Sequence, residues 1–218
     1  MQEHYLTFKI FNQFPEVDSR FYGKDLGGWV EKKETVTMRQ IHSNNIVYIE
    51  EYFPGKIVKD VDGLITKKKN VFLMVKIADC IPIFFYEPRV KAIGVVHAGW
   101  KGTLLNIVGK MINNIVRHGG RAENIFAAIG PCIHECCYNV LPDRFLKFKN
   151  SFSDFSFEKP NFLDLGEICA FQMIKLGVLE NHIEISSICT KCSRDKFYSF
   201  RVGDRNINNI GVIGMKEI

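Results

Sequence analysis

Three side chains able to hold a metal or act as a nucleophile stand where apolar runs stop: His42 in "RQIHSNN", Cys80 in "IADCIP" and His97 in "VVHAGWKG". Strand ends with small or irregular neighbours are where a rigid scaffold presents side chains to a cleft. Two imidazoles and a thiolate suit Zn²⁺, with a fourth position left for water or substrate. An open Zn²⁺ brings the pKa of its water to about 7, which makes a nucleophile available at neutral pH. The three positions lie 38 and 17 residues apart, however, which is no local metal signature. On spacing alone, core or hydrogen-bonding roles are the commoner outcome. The same residues also permit a metal-free reading, in which a Cys80 thiolate with His97 as base performs acyl transfer or deamidation. Asp79 neighbours Cys80, but adjacent strand residues face opposite ways, so Asp79 is expected to pin a loop.

The chain has seven cysteines, an odd number, and "MQEHYLTFKIFNQF" has no apolar segment of export-signal form. Thiols, ligands or core residues are therefore expected rather than disulfides. Cys132, Cys136/Cys137, Cys189 and Cys192 would together supply four thiolates for a structural zinc. The Cys-x-x-Cys half has the right form and the other half the wrong spacing for a zinc finger. Apolar packing of thiols is the plainer alternative, and Cys189 and Cys192 are expected to be structural or incidental. The net charge of +5 is spread over scattered lysines such as Lys67-Lys68-Lys69 and Lys147/Lys149, with no nucleic-acid motif beside them. No apolar run reaches the ~20 residues of a membrane span. A cytoplasmic protein that binds neither nucleic acid nor membrane is expected.

The elements that would position these side chains follow from periodicity. Residues 5–11, 35–41 and the run from Asn45 read as strands. "VFLMVKIADC" and "IPIFFYEP" read as two buried strands separated by a break at Pro82, and "KAIGVV" as the next. From Thr103 the period becomes helical through Val116, and Gly119-Gly120 end it. "NIFAAIGP" returns to strand, and "FLDLGEICAFQMIKLG" is a second amphipathic helix closed by Gly177. "HIEISSICT", "KFYSFRV" and "IGVIGMKE" complete a strand-rich C-terminus. The expected fold is mixed α/β with more strands than helices, in one domain over 1–218, without a phosphate-cradling Gly-rich loop.

The motifs "QIHS", "DGLIT", "ADCIPIFFYEP", "GVVHAGWKGTL", "AAIGPCIHECCYNV" and "CTKCSRDKFYSFR" occur in the order and spacing of the YfiH/YlmD family, which the chain resembles over roughly residues 36–201. Members of that family carry the names laccase-domain protein, polyphenol oxidase and purine nucleoside phosphorylase. The resemblance implies that His42, Cys80 and His97 are zinc ligands, with Gly99 and Gly102 letting the backbone pass close to the site. It implies a compact fold of mixed sheets flanked by helices, related in shape to the catalytic domain of cytotoxic necrotizing factor. It further implies phosphorolysis of adenosine, inosine or methylthioadenosine, with purine nucleosides and phosphate as small-molecule partners. Adenosine deamination is the companion activity that the resemblance allows. Cys80, His97, Lys101 and Arg201 are the expected catalytic groups. Copper polyphenol oxidation and a Cys–His hydrolase acting on cell-wall precursors are the alternatives, Cu²⁺ being the alternative metal. A monomer is expected, with a dimer as the alternative. Three departures from the family pattern stand out. The segment between Phe11 and Thr35 is short, with a degraded Ser-x-Arg-x-Gly-Gly pattern in "SRFYGKDLGGW". Lys101 replaces an arginine, losing the bidentate fork. "SFRVGDRNINN" keeps Arg201 but lacks a second arginine and a Thr-Gly-Arg element.

Overall fold

The run Ile81–Glu87, IPIFFYE, is buried at every position, as a strand covered on both faces must be. In the computed structural model, which describes residues 5–24, 35–51 and 55–217, its side chains divide by parity. Ile81, Ile83 and Phe85 join an apolar cluster with helical residues, while Phe84 and Tyr86 join one between two sheets. Three layers result: sheet, sheet and helices.

The elements in chain order are β1 (Val17–Tyr22), β2 (Thr35–Arg39), β3 (Ile46–Tyr48), β4 (Ile57–Lys59), β5 (Gly63–Thr66), β6 (Phe72–Ile77), β7 (Ile81–Glu87) and β8 (Ala92–Ala98). There follow α1 (Trp100–Leu104), α2 (Ile107–Arg117), β9 (Phe126–Ile129), α3 (Pro142–Ser151), α4 (Leu165–Lys175), β10 (Ile183–Ile185) and β11 (Asn209–Met215). The outer sheet has the order β1-β11-β6-β2-β4 and the central sheet β10-β9-β7-β8-β5-β3. Both are mixed: β7 runs antiparallel to β8 and β9, whereas β3 and β5, and β2 and β6, are parallel. This agrees with the mixed α/β class expected from the apolar pattern.

The central sheet buries its second face under α2 and α4. Ile107, Val108, Met111, Ile112 and Ile115 form the inward stripe of α2, each such side chain contributing about 1.5–3 kcal/mol on full burial. Asp164 caps α4 by accepting from the Glu167 N–H at 3.1 Å, and Gly177 leaves that helix at φ +92°, a left-handed exit open to glycine.

Several expectations are corrected. The helix read from Thr103 is two helices, because Asn106 adopts φ 55° and its side chain accepts from the Gly109 N–H at 3.0 Å, starting α2 afresh. Residues 5–11 are not a strand: Leu6 bridges Phe21, and Lys9–Phe11 is a 3-10 turn that sends Phe8 and Phe11 into the inter-sheet core. "KFYSFRV" is also not a strand. Side-chain acceptors take its backbone donors, Asn209 from Tyr198 N–H and Asp204 from Ser199 N–H, both at 2.9 Å. Pro82 lies inside β7, opposite His97, and the chain breaks earlier at 78–80. The structure adds β1, β4, β5 and α3, which are not among the elements read from the apolar pattern. The degraded "SRFYGKDLGGW" pattern falls partly outside the described residues. Among those residues no helix is long and apolar enough to cross a membrane.

A candidate metal centre and its cleft

His97 is the penultimate residue of β8. Strand parity puts it on the side of Ile93 and Val95, which face the outer sheet. Cys80 immediately precedes β7, and His42 follows β2 by three residues in a bend at φ 58°. The donor atoms of the three residues lie within 4.8 Å of one another. The His42 and His97 rings meet edge to face, with centroids 4.7 Å apart. The bend between α1 and β8 passes so close that a Cβ on Gly99 would stand 2.9 Å from His42 Cδ2 and 3.3 Å from Cys80 Sγ. A Cβ on Gly102 would stand 2.9 Å from the Ser43 carbonyl oxygen. Both glycines therefore do what the resemblance implied.

Asp62, fully buried, organises two of the three donors. Its carboxylate accepts from the backbone N–H groups of Ile41 (3.3 Å), His42 (3.0 Å) and Ser43 (2.6 Å), and from the Ser43 hydroxyl at 2.7 Å. It also accepts from His97 Nδ1 at 2.8 Å. Burial works against its charge, but the His97 and Ser43 donors outweigh burial and hold the carboxyl down at about 2. An ionised carboxylate only accepts, so Nδ1 carries the proton and Nε2 is left with its lone pair for a ligand. Burial likewise opposes ionisation of Cys80, and the His97 and His42 imidazoles overcome it, depressing the thiol. His97 is raised in turn: the Cys80 thiolate and Asp62 outweigh its desolvation.

Asp79 pins a loop, as its place beside Cys80 led us to expect. Its carboxylate accepts from the Thr190 hydroxyl at 2.7 Å and the Arg201 backbone N–H at 2.8 Å. This brings residues 190–201 to the rim of a cleft of about 570 Å³ lined by all three donors, Trp100, Tyr138 and Arg201, within the size range of small-molecule sites. Lys101 is exposed on α1 and is not among the residues lining that cleft. Its ammonium lies 5.6 Å from the centroid of the Trp100 ring, whose indole lines the cleft. Arg144 of α3 lines the cleft instead, its guanidinium 4.2 Å from the Trp100 ring centroid and close enough to act on the Tyr138 phenol. Arg201 lies 5.0 Å from the centroid of the Tyr138 ring. Two guanidiniums therefore flank one buried phenol.

Asp62, Arg144 and Tyr138 escaped the sequence reading. Asp62 stands inside the "DGLIT" motif and Tyr138 inside "CCYNV", so a signal existed for each; "LPDRF" carries none for Arg144. The remaining cysteines also regroup. Cys136, Cys137, Cys189 and Cys192 bring their sulfurs within 4.8 Å of one another, while Cys132 stays apart, buried, with its sulfur 3.9 Å from His134 Nε2.

A sequence model of the family described as multi-copper polyphenol oxidoreductase laccase matches residues 24–216. The chain belongs to that family. Within it, the chain is 33% identical over 211 residues to "Purine nucleoside phosphorylase YlmD" of Bacillus subtilis, covering 90% of this chain and 74% of the relative. It is 28% identical over 186 residues to "Adenosine deaminase RL5" of an unknown prokaryotic organism, covering 79% and 71% respectively. The solved structure of the Bacillus licheniformis protein YfiH superposes with a TM-score of 0.78 at 32% identity, covering 84% of this chain and 75% of that one. The YfiH/YlmD resemblance and its fold are thereby established.

The donor set fits a metal of the zinc type. One thiolate and two imidazoles with donor atoms within 4.8 Å of one another would suit such an ion, and a carboxylate fixes the tautomer of one of them. Of the other described histidines, His118 stacks on Tyr48, His182 stacks on Phe126 and His134 bonds Asp164. None of them joins the group that a multicopper array would need.

Proposed function

We propose that the protein is a zinc-dependent purine nucleoside enzyme. It would phosphorolyse adenosine, inosine or methylthioadenosine to the free base and a sugar 1-phosphate. The observation that carries this reading is the single cleft lined by His42, Cys80 and His97 together with Arg144 and Arg201. His42, Cys80 and His97 would hold the ion, which when bound supplies a Lewis acid with one open position for substrate or water.

The chain's own residues account for the rest. Cys80 neutralises part of the dication's charge, and Asp62 keeps the His97 Nε2 lone pair directed inward. Arg144 and Arg201 hold phosphate, stacked as they are on Trp100 and Tyr138. In phosphorolysis a phosphate oxygen forms the bond to C1′ as the C1′–N9 bond breaks, and the electron pair leaves with the purine. Guanidiniums fixed beforehand need no reorganisation to stabilise that anion beside C1′. Trp100, partly buried at the cleft wall, offers a flat face to a base.

Adenosine deamination is the second reading, supported by the likeness to the relative named adenosine deaminase. Attack of water at C6 of the purine needs an open metal position and no phosphate. Copper remains the alternative ion, because a His₂Cys set also accepts it. One assay tests these readings together. The purified protein is given adenosine, inosine and methylthioadenosine with and without phosphate, while base, sugar 1-phosphate and ammonia are measured and the metal is identified by elemental analysis. We expect base release to require phosphate. Equal base release without phosphate identifies a hydrolase, and ammonia without base a deaminase.

A further inference from the structure

A second group of soft ligands lies outside the cleft chemistry. The tight turn at His134–Tyr138, closed by the Cys137 and Tyr138 N–H groups donating to the His134 carbonyl at 2.9 Å, presents Cys136 and Cys137 side by side. Opposite stands Cys189-Thr190-Lys191-Cys192, held in register by an isolated parallel backbone pairing of residues 132 and 189 and by the Thr190 N–H donating to the Cys132 carbonyl at 2.9 Å. All four are free thiols. The Cys136–Cys192 and Cys137–Cys192 sulfurs are 3.7 and 3.4 Å apart. Four thiolates at about 2.3 Å from one tetrahedral ion stand roughly 3.8 Å from each other. An iron–sulfide cluster would hold its cysteines further apart than the 4.8 Å limit found here.

We propose that Cys136, Cys137, Cys189 and Cys192 bind a Zn²⁺ ion as a four-thiolate structural site, separate from His42, Cys80 and His97. The expectation that Cys189 and Cys192 are incidental rested on the absence of a second pair at zinc-finger spacing. A vicinal pair on a tight turn supplies that half without any spacing. Binding transfers the thiol protons to solvent and leaves four Zn–S bonds. The ion clasps the turn that leads into Tyr138 to the segment that leads to Arg201. That segment is also tied through Thr190 and Arg201 to Asp79, the neighbour of Cys80. The site would thus fix where Arg201 stands at the cleft, and it contributes no reacting atom.

The test counts zinc in protein purified anaerobically under reducing conditions. Cys80→Ala removes one ligand of the cleft centre and should still retain one zinc per chain. The same variant loaded with Co²⁺ should show the intense near-ultraviolet thiolate-to-metal absorption of a four-sulfur site. Cys189→Ser with Cys192→Ser should lose one equivalent relative to the parent. Should that double variant not fold, the cobalt spectrum of Cys80→Ala decides. A Cys80→Ala protein without zinc, a cobalt spectrum lacking four-sulfur intensity, or a Cys137–Cys192 disulfide in the reduced preparation would each overturn the proposal. The result does not depend on what the cleft centre binds, because the variant has lost that centre.

Discussion

Replacing Asp62 by asparagine should loosen the metal centre and the fold together, by amounts the hydrogen bonds fix. Asparagine keeps the shape of the side chain but turns one acceptor terminus into a donor. With its nitrogen at the Oδ2 position it would face the N–H groups of Ile41 and Ser43. With its nitrogen at Oδ1 it would face the His42 N–H and His97 Nδ1. In the second case His97 must move its proton to Nε2, the atom needed as ligand. The first orientation breaks two bonds to a buried anion, and the second breaks one and reverses another, each worth about 1.5–3 kcal/mol. Partial relaxation leaves a net loss of roughly 3–5 kcal/mol. Losing the outer carboxylate of a histidine ligand costs about 10–100-fold in metal affinity. Urea unfolding of the metal-free protein reads the first effect and competition with a chromophoric chelator the second. An Asp62→Asn protein with the parental urea midpoint and parental chelator competition would refute the assignment of Asp62 as the group that orients both histidines.

Gly99→Ala would place a methyl 2.9 Å from His42 Cδ2. Relief of such overpacking costs about 1–3 kcal/mol, so chelator competition should show a loss of affinity of about 5- to 150-fold; unchanged affinity would mean that the loop yields freely. Arg144→Ala and Arg201→Ala should each lower phosphorolysis about a hundredfold, the usual cost of losing a fixed charge contact in the transition state. Exposed Lys101→Ala should stay within about twofold, and steady-state kinetics at varied phosphate distinguish the three. Asp18 is buried and paired with Arg20 at 2.7 Å and Lys216 at 2.8 Å. Burial opposes its charge, yet these cations outweigh burial and lower its pKa. Its stabilisation is therefore complete above the unfolded value of ~3.9 and is lost as pH falls below it. Asp18→Asn should cost about 1–2 kcal/mol at pH 7, and the gap to the parent should narrow below pH 4 in urea titrations; a gap independent of pH would exclude the ion pair as its cause.

How much of the fold is legible depends on how each segment earns its burial. β7 and β8 are buried throughout and apolar but for Glu87 and His97, because they are covered on both faces, and runs of that kind announce themselves. α2 does so as well, through a stripe of four buried aliphatic side chains and Met111. By contrast, β1 reads VDSRFY, and its Asp18 is buried only because Arg20 and Lys216 reach it. α3 buries Phe148 alone, so its pattern is that of a solvated segment. The 3-10 turn at Phe200–Val202 sits where an alternating pattern suggests a strand. There the deciding groups are Asp204 and Asn209, five and eleven residues away from the N–H groups they accept from.

The site divides along a similar line. His42, Cys80 and His97 were visible because imidazoles and thiols at strand ends are chemically conspicuous, and the resemblance then gave them a joint role. The groups that hold them in place are conspicuous only in three dimensions. Asp62 and Asp79 are both buried aspartates, and each spends its carboxylate on a loop that arrives from elsewhere: 41–43 for Asp62, 190–201 for Asp79. A buried carboxylate without such partners would be far too costly to keep. Each aspartate therefore makes the fold of its loop a condition of its own burial. The same bonds that repay the desolvation of Asp62 set the tautomer of His97, and those that repay Asp79 bring Arg201 to the cleft. Stability and site geometry are one set of hydrogen bonds here, which is why substitutions at these two aspartates should not separate them.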